Sequence, residues 1–126
     1  KLNFGHTFAH AIEMAIQSNK GKEIRHGEAV GIGLLCEIYY AFGKNKNFLI
    51  TKKILEKYKL PTNIRKFIKK NQIKKIENEI YQNVFLDKKR LNTFPRFIQL
   101  SKIGRANVEE MRDFKRIRET IEKIVL

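Results

Sequence analysis

Residues 29–42 form the longest apolar stretch of the chain, interrupted only by Glu37 and two glycines. It falls short of the ~20 residues that a membrane span requires. It reads instead as a helix that opens at His26, closes at Gly43 in a C′ role, and is buried at the centre of the domain because it is apolar nearly all round. Every other element must then cover it. Gly27, Gly31 and Gly33 each cost about 1 kcal/mol against alanine in a helix interior. The expected return is close approach of another backbone, with the preceding helix as the natural partner. At 126 residues and 42% hydrophobic content, one core can stand without disulfides or a structural metal.

The surrounding periodicity predicts helices. Residues 3–18 read as the first, with Asn3 as N-cap, and 19–25 as a polar loop. Residues 48–58 carry Ile50, Ile54 and Tyr58 at i, i+4 spacing, and Pro61-Thr62 ends that helix and caps a short one with Ile64, Phe67 and Ile68 inward. Ile73, Ile76, Ile80 and Val84 mark another stripe, and Met111, Phe114, Ile117, Ile121 and Ile124 line the last helix. Between them, residues 96–100 and 105–108 flank a glycine turn after a break at 92–95, in the manner of a small β-hairpin. The expected fold is mainly α: one multi-helical domain with one small β-hairpin.

Twenty-seven Lys and Arg against 13 Asp and Glu give a net charge of +14, which raises the possibility of a polyanion partner. The lysines are scattered over several helix faces (Lys52, Lys53, Lys57, Lys66, Lys69, Lys70, Lys74, Lys75), and no aromatic RNA-binding signature or DNA-reading motif accompanies them. A solvated basic surface is therefore expected, with no nucleic-acid or membrane partner; a small phosphorylated substrate is the alternative use of the charge. The single cysteine, Cys36, excludes a disulfide framework and a cysteine-based zinc site, and points to a reducing, cytoplasmic setting. A chain that starts at Lys1 and enters a dense motif at once is expected to be part of a longer polypeptide.

That motif has two faces. On a helix, Asn3, His6, His10 and Glu13 fall on one arc, and Phe8, Ala11, Ile12 and Ala15 on the opposite one. All three histidines of the chain, His6, His10 and His26, lie in its first quarter. Neutral imidazole binds a borderline metal such as zinc at about 2.0 to 2.1 Å, so the concentration suggests a metal site, although an HxxxH pair by itself is common. Asn3 serves as a helix cap, a role compatible with substrate contact. Glu13 reads as a partner orienting His6 or as a surface carboxylate. Glu28 is accounted for by the helix dipole and is left outside the site.

The blocks Leu2-Asn3-Phe4-Gly5-His6-Thr7-Phe8-Ala9-His10-Ala11-Ile12-Glu13, His26-Gly27-Glu28-Ala29-Val30-Gly31-Ile32-Gly33, Asp87-Lys88-Lys89 and Ile103-Gly104 resemble, in order and spacing, the C-terminal domain of 3-dehydroquinate synthase. The resemblance implies a two-domain enzyme of the shikimate pathway, homodimeric at full length. Its N-terminal domain, absent from this chain, binds NAD. It further implies that His6 and His26 are ligands of Zn2+ (or Co2+), the third being a glutamate of the absent domain. His10 is then the proton-transfer histidine, while Asn3 and one of Lys88 or Lys89 hold polar groups of the substrate. The implied reaction converts the sugar acid 3-deoxy-arabino-heptulosonate 7-phosphate to 3-dehydroquinate and phosphate. Ala9 departs from the family pattern, which has glycine there, and adds a methyl group near the site. Two alternatives stand beside this reading: a related sugar-phosphate cyclase of the inosose or valiolone type, and a non-catalytic basic helical module that binds polyanions. The chain alone, with two of three ligands, is expected to be inactive.

Overall fold

The structure, a computed structural model, describes residues 4–91 and 114–126; at 4, 5 and 87–91 it describes the backbone only. The order is α1 (Phe4–Ser18), α2 (His26–Phe42), α3 (Lys46–Lys57), two 3-10 turns (Arg65–Phe67 and Lys70–Gln72), α4 (Ile73–Leu91) and α5 (Phe114–Thr120), which runs on into a π-helical turn (Ile121–Val125). Five α-helices and no strand occur among the described residues. The expected β-hairpin at 96–100 and 105–108 lies outside them, as do Asn3 and Met111.

Helix α2 holds the centre. It packs against α1, α3, α5 and the π-helical turn, while α1 also packs against α4. Phe8, Ile12 and Ile16 of α1, Ile32, Leu35, Cys36 and Tyr40 of α2, and Ile76, Ile80 and Val84 of α4 are all buried in one cluster. Ile117, Ile121 and Val125 close it from the C-terminal side. The spacings that bury these residues are those of one helical face each, so the apolar stripes on α1 and α4 do what their periodicity predicts, as does that of α5 from Ile117 onward, whereas Phe114 stands 38% exposed at its start. Ile64 and Phe67 turn inward from the 3-10 segment, which is pinned by Ile64 N–H donating to the Val125 carbonyl at 2.9 Å and Lys22 N–H donating to the Phe67 carbonyl at 3.0 Å. Gly21 is needed at this junction, because a Cβ there would stand 2.5 Å from the Phe67 carbonyl oxygen.

Two expectations about packing are corrected. The stripe Ile50, Ile54 and Tyr58 faces outward, at 45%, 51% and 67% exposure, and α3 buries Phe48 and Leu55 instead. The cause lies on α2: with no side chain at Gly31, the Leu55 side chain fits so closely that a Cβ there would meet its Cδ2 at 3.1 Å. Gly31 and Gly27 therefore do not serve α1 as expected, since Gly31 makes room for α3 and a Cβ at Gly27 would meet nothing within 4 Å.

Helix ends are closed by specific backbone geometry. Gly43 adopts φ +73° past α2, with its N–H on the Tyr39 carbonyl at 2.8 Å, as its C′ role requires. Asn45 caps α3, its Oδ1 accepting from Phe48 N–H at 2.9 Å. At the far ends of α1 and α3, lysines occupy the left-handed position: Lys20 at φ 54° and Lys59 at φ 60°. Each is followed by a six-to-one hydrogen bond, Gly21 N–H to the Ile16 carbonyl at 2.9 Å and Leu60 N–H to the Leu55 carbonyl at 2.8 Å. These are Schellman closures in which a side-chain-bearing residue carries the conformation that glycine takes at little cost.

Two stability predictions follow from this packing. Ile80→Ala is expected to lower unfolding free energy by about 2–5 kcal/mol and Ile54→Ala by under about 0.5 kcal/mol, measured by urea denaturation; comparable losses would contradict the outward stripe. Lys59→Gly is expected to gain about 0.5–1 kcal/mol by relieving the left-handed conformation, and a loss in the same assay would count against that closure.

Candidate functional site

The packing of α1 on α2 determines where the histidines meet. Because Phe8, Ala11, Ile12 and Ala15 are buried, the opposite arc of α1 carries His6, His10 and Glu13 away from the core. The start of α2 comes alongside. The ring centres of His6 and His26 are 5.7 Å apart, those of His6 and His10 5.9 Å, and those of His10 and His26 6.2 Å. All three histidines thus gather in one cluster, although His26 lies 13 positions beyond Glu13, the last residue of the α1 face.

His26 is held at both its backbone and its ring. As the first residue of α2 it follows Arg25, whose N–H donates to Glu28 Oε1 at 2.9 Å. Glu28, read from sequence only as a charge at the helix dipole, thus also fastens the entry to the helix. The ring Nδ1 of His26 lies 3.0 Å from Glu13 Oε2. From sequence, Glu13 read as a partner of His6 or as a surface carboxylate; the structure places it on His26, a contact across the 19–25 loop that no helical spacing could reveal.

The donors fit part of a metal site. Two imidazoles sharing one zinc at the usual Zn–N length have ring centres roughly 5 Å apart, close to the 5.7 Å between His6 and His26. Among the described residues, no group of three or more His, Cys, Asp or Glu side chains is placed to hold a metal ion.

Beside His10 lies a cavity of about 600 Å3 between α1 and α4, lined by His10, Glu13, Met14, Gln17, Asn83 and Leu86 among others. Asn83 ties its two walls together, its Nδ2 donating to the Ala11 carbonyl at 3.2 Å. Lys88 and Lys89 continue α4 within one turn of Leu86; their side chains, like Asn3, fall outside what the structure describes. Ala9 is fully buried within an uninterrupted α1, so its methyl group is absorbed by the core. The scattered lysines Lys53, Lys57, Lys66, Lys69, Lys70, Lys74 and Lys75 are exposed, and Lys52 is half-buried.

One ionisable group was missed as such. Glu37, on α2 about three turns from His26 and on the same helical face, is buried with neither carboxylate oxygen hydrogen-bonded. Burial pushes its pKa up to about 8, so the side chain is neutral over much of the ordinary range. The only signal in the sequence was an acidic residue inside an apolar run.

Residues 1–90 match the family described as 3-dehydroquinate synthase C-terminal. The 3-dehydroquinate synthase of Chlorobaculum parvum is 33% identical over 111 residues, covering 83% of this chain and 28% of that protein. Those of Campylobacter hominis, 39% identical over 110 residues, and Clostridium botulinum, 37% identical over 113, cover 82% and 83% of this chain and 28% of their own length. The chain spans little more than a quarter of the relatives it matches. No solved structure matches it significantly.

Glu37 generates a pH prediction. Its folded pKa near 8 exceeds the ordinary 4.5, so between those values the folded state binds more protons than the unfolded one and stability falls as pH rises. Glu37→Gln is expected to flatten this decline and to gain most over the wild type near the upper value. Parallel urea midpoints of the two proteins across that window would refute the burial effect.

Proposed function

Because this chain belongs to the 3-dehydroquinate synthase family, we propose that it is the part of such an enzyme that carries two metal ligands and the proton-transfer histidine. The observation that carries the reading is the 5.7 Å separation of the His6 and His26 rings, with His10 one helical turn from His6. The substrate class is a phosphorylated seven-carbon sugar acid, 3-deoxy-arabino-heptulosonate 7-phosphate, converted to 3-dehydroquinate with release of phosphate. The third metal ligand, a glutamate, and the NAD site belong to an N-terminal domain, and the complete enzyme works as a cytoplasmic homodimer. This chain by itself is inactive for want of both.

When bound, zinc or cobalt supplies Lewis acidity toward adjacent substrate hydroxyls, and NAD supplies reversible hydride removal. His6 and His26 hold the metal through ring nitrogens and so fix the sugar ring relative to α1. His10 is near enough to reach a substrate held there without itself being a ligand. Imidazole changes charge near neutral pH, which suits it to take a proton from a hydroxyl or from carbon next to a carbonyl and to return it later. Asn3 orients substrate hydroxyls. Lys88 or Lys89 offers an ammonium to the carboxylate or phosphate as a point charge. The cavity between α1 and α4, with His10 on its wall and Lys88 and Lys89 one turn beyond its Leu86 edge, supports this division of roles.

The test uses the full-length enzyme. His6→Ala and His26→Ala are expected to lose bound metal by elemental analysis. His10→Asn is expected to keep it while kcat falls by about 10²- to 10⁴-fold. Metal content unchanged in both alanine variants, or full turnover in His10→Asn, sinks the assignment, and appearance of a carbocycle other than 3-dehydroquinate moves the enzyme to a related cyclase.

A further inference from the structure

We propose that Glu13 is a positioning residue that holds the His26 ring in the tautomer bearing its proton on Nδ1, leaving Nε2 as the nitrogen offered to the metal. The inference deepens the reading above and rests on it for the identity of the ligand. It starts from the 3.0 Å contact between Glu13 Oε2 and His26 Nδ1. An ionised carboxylate can only accept a hydrogen bond, so the proton between them belongs to the ring nitrogen. In a neutral imidazole the lone pair is then on Nε2.

The placement of Glu13 makes this a hold on the ring and not a chance surface contact. Glu13 sits on α1 between the buried residues Ile12 and Ala15–Ile16, so its backbone is fixed by the core. Its side chain is only 28% exposed, against 58% for His26, so the more buried partner anchors the more exposed one. The backbone of His26 is separately fixed by the Arg25 N–H bond to Glu28 Oε1. A ring with its Cα set by the start of α2 and its Nδ1 set by α1 has one nitrogen left, and two torsions that can no longer wander. Carboxylate partners of this kind orient ligand imidazoles and raise their basicity, and their loss typically weakens metal binding about 10–100-fold. Glu13 also lines the cavity beside His10, so the same side chain joins the ligand His26 to the wall where the proton-transfer histidine stands.

The experiment compares the full chain with Glu13→Ala and Glu13→Gln. Long-range 1H–15N correlation spectra of the metal-free proteins, in mildly alkaline solution where imidazole is neutral, report the His26 tautomer directly. Competition with a chromophoric chelator for Co2+ reports affinity. The wild type is expected to show the Nδ1–H form. Glu13→Ala is expected to shift His26 toward the Nε2–H form that dominates in free histidine and to weaken Co2+ binding about 10- to 100-fold, with an unchanged far-ultraviolet spectrum. Glu13→Gln, whose amide oxygen still accepts from Nδ1–H, is expected to restore the tautomer and most of the affinity. An Nε2–H ring in the wild type, or an Ala variant with wild-type tautomer, overturns the proposal. Failure of the metal reading itself is recognised separately: Co2+ affinity is then indifferent to His6→Ala and His26→Ala, while the tautomer spectra still decide what Glu13 does.

Discussion

The face-to-face packing of α1 on α2 is the interaction on which the rest depends. A helix is a rigid rotor: once the arc containing Phe8, Ile12 and Ile16 is buried against Ile32, Leu35, Cys36 and Tyr40, the rotation of α1 about its axis is set. With it is set the direction of the opposite arc. The histidines meet because hydrophobic burial on one side leaves them no other azimuth. Each fully buried aliphatic or aromatic side chain contributes about 1.5–3 kcal/mol, and several act together, whereas the partly exposed Glu13–His26 pair is worth far less on its own. The core positions the site; the polar contact only trims it.

Polar groups elsewhere tie the outer helices to this pair. The Arg116 guanidinium donates to the carbonyls of Tyr39 and Tyr40 at the end of α2, where a carbonyl of the last turn has no N–H of the next turn to meet it, that of Tyr39 being otherwise satisfied by Gly43 N–H. Arg118 reaches Asn78 at 2.7 Å and Glu77 at 3.5 Å on α4 and lies over the Tyr81 ring at 4.2 Å. In a chain with a charge of +14, these arginines are drawn from the repelling surface into directed contacts. Glu37 is the opposite case, a buried acid whose carboxylate oxygens have no hydrogen-bond partner among the described residues, and burial raises its pKa.

Sequence patterns were legible where one residue class repeats on one face. Ile76, Ile80 and Val84 could only be a buried stripe, and Gly43 could only be a stop. Helix α3 was not legible in the same way, because its apolar residues Phe48, Leu49, Ile50, Ile54 and Leu55 are spread widely around the helix and offer two rival stripes. The choice between them belonged to Gly31 on a different helix, which opens a slot that Leu55 fills. The lysines at the ends of α1 and α3 were equally hidden, since nothing in their local sequence announces a left-handed backbone.

By itself the sequence determined that α1 has a chemical arc and a packing arc, that residues 26–42 make a central helix, and that the imidazoles belong to the first quarter of the chain. Those are local facts, set by a helical period acting within one element. Only the tertiary structure decided that Glu13 meets His26, that His26 crosses a loop to join His6 and His10, and which side of α3 faces inward. Each of these depends on how two separate helices sit against each other, and that geometry is fixed by the whole core at once.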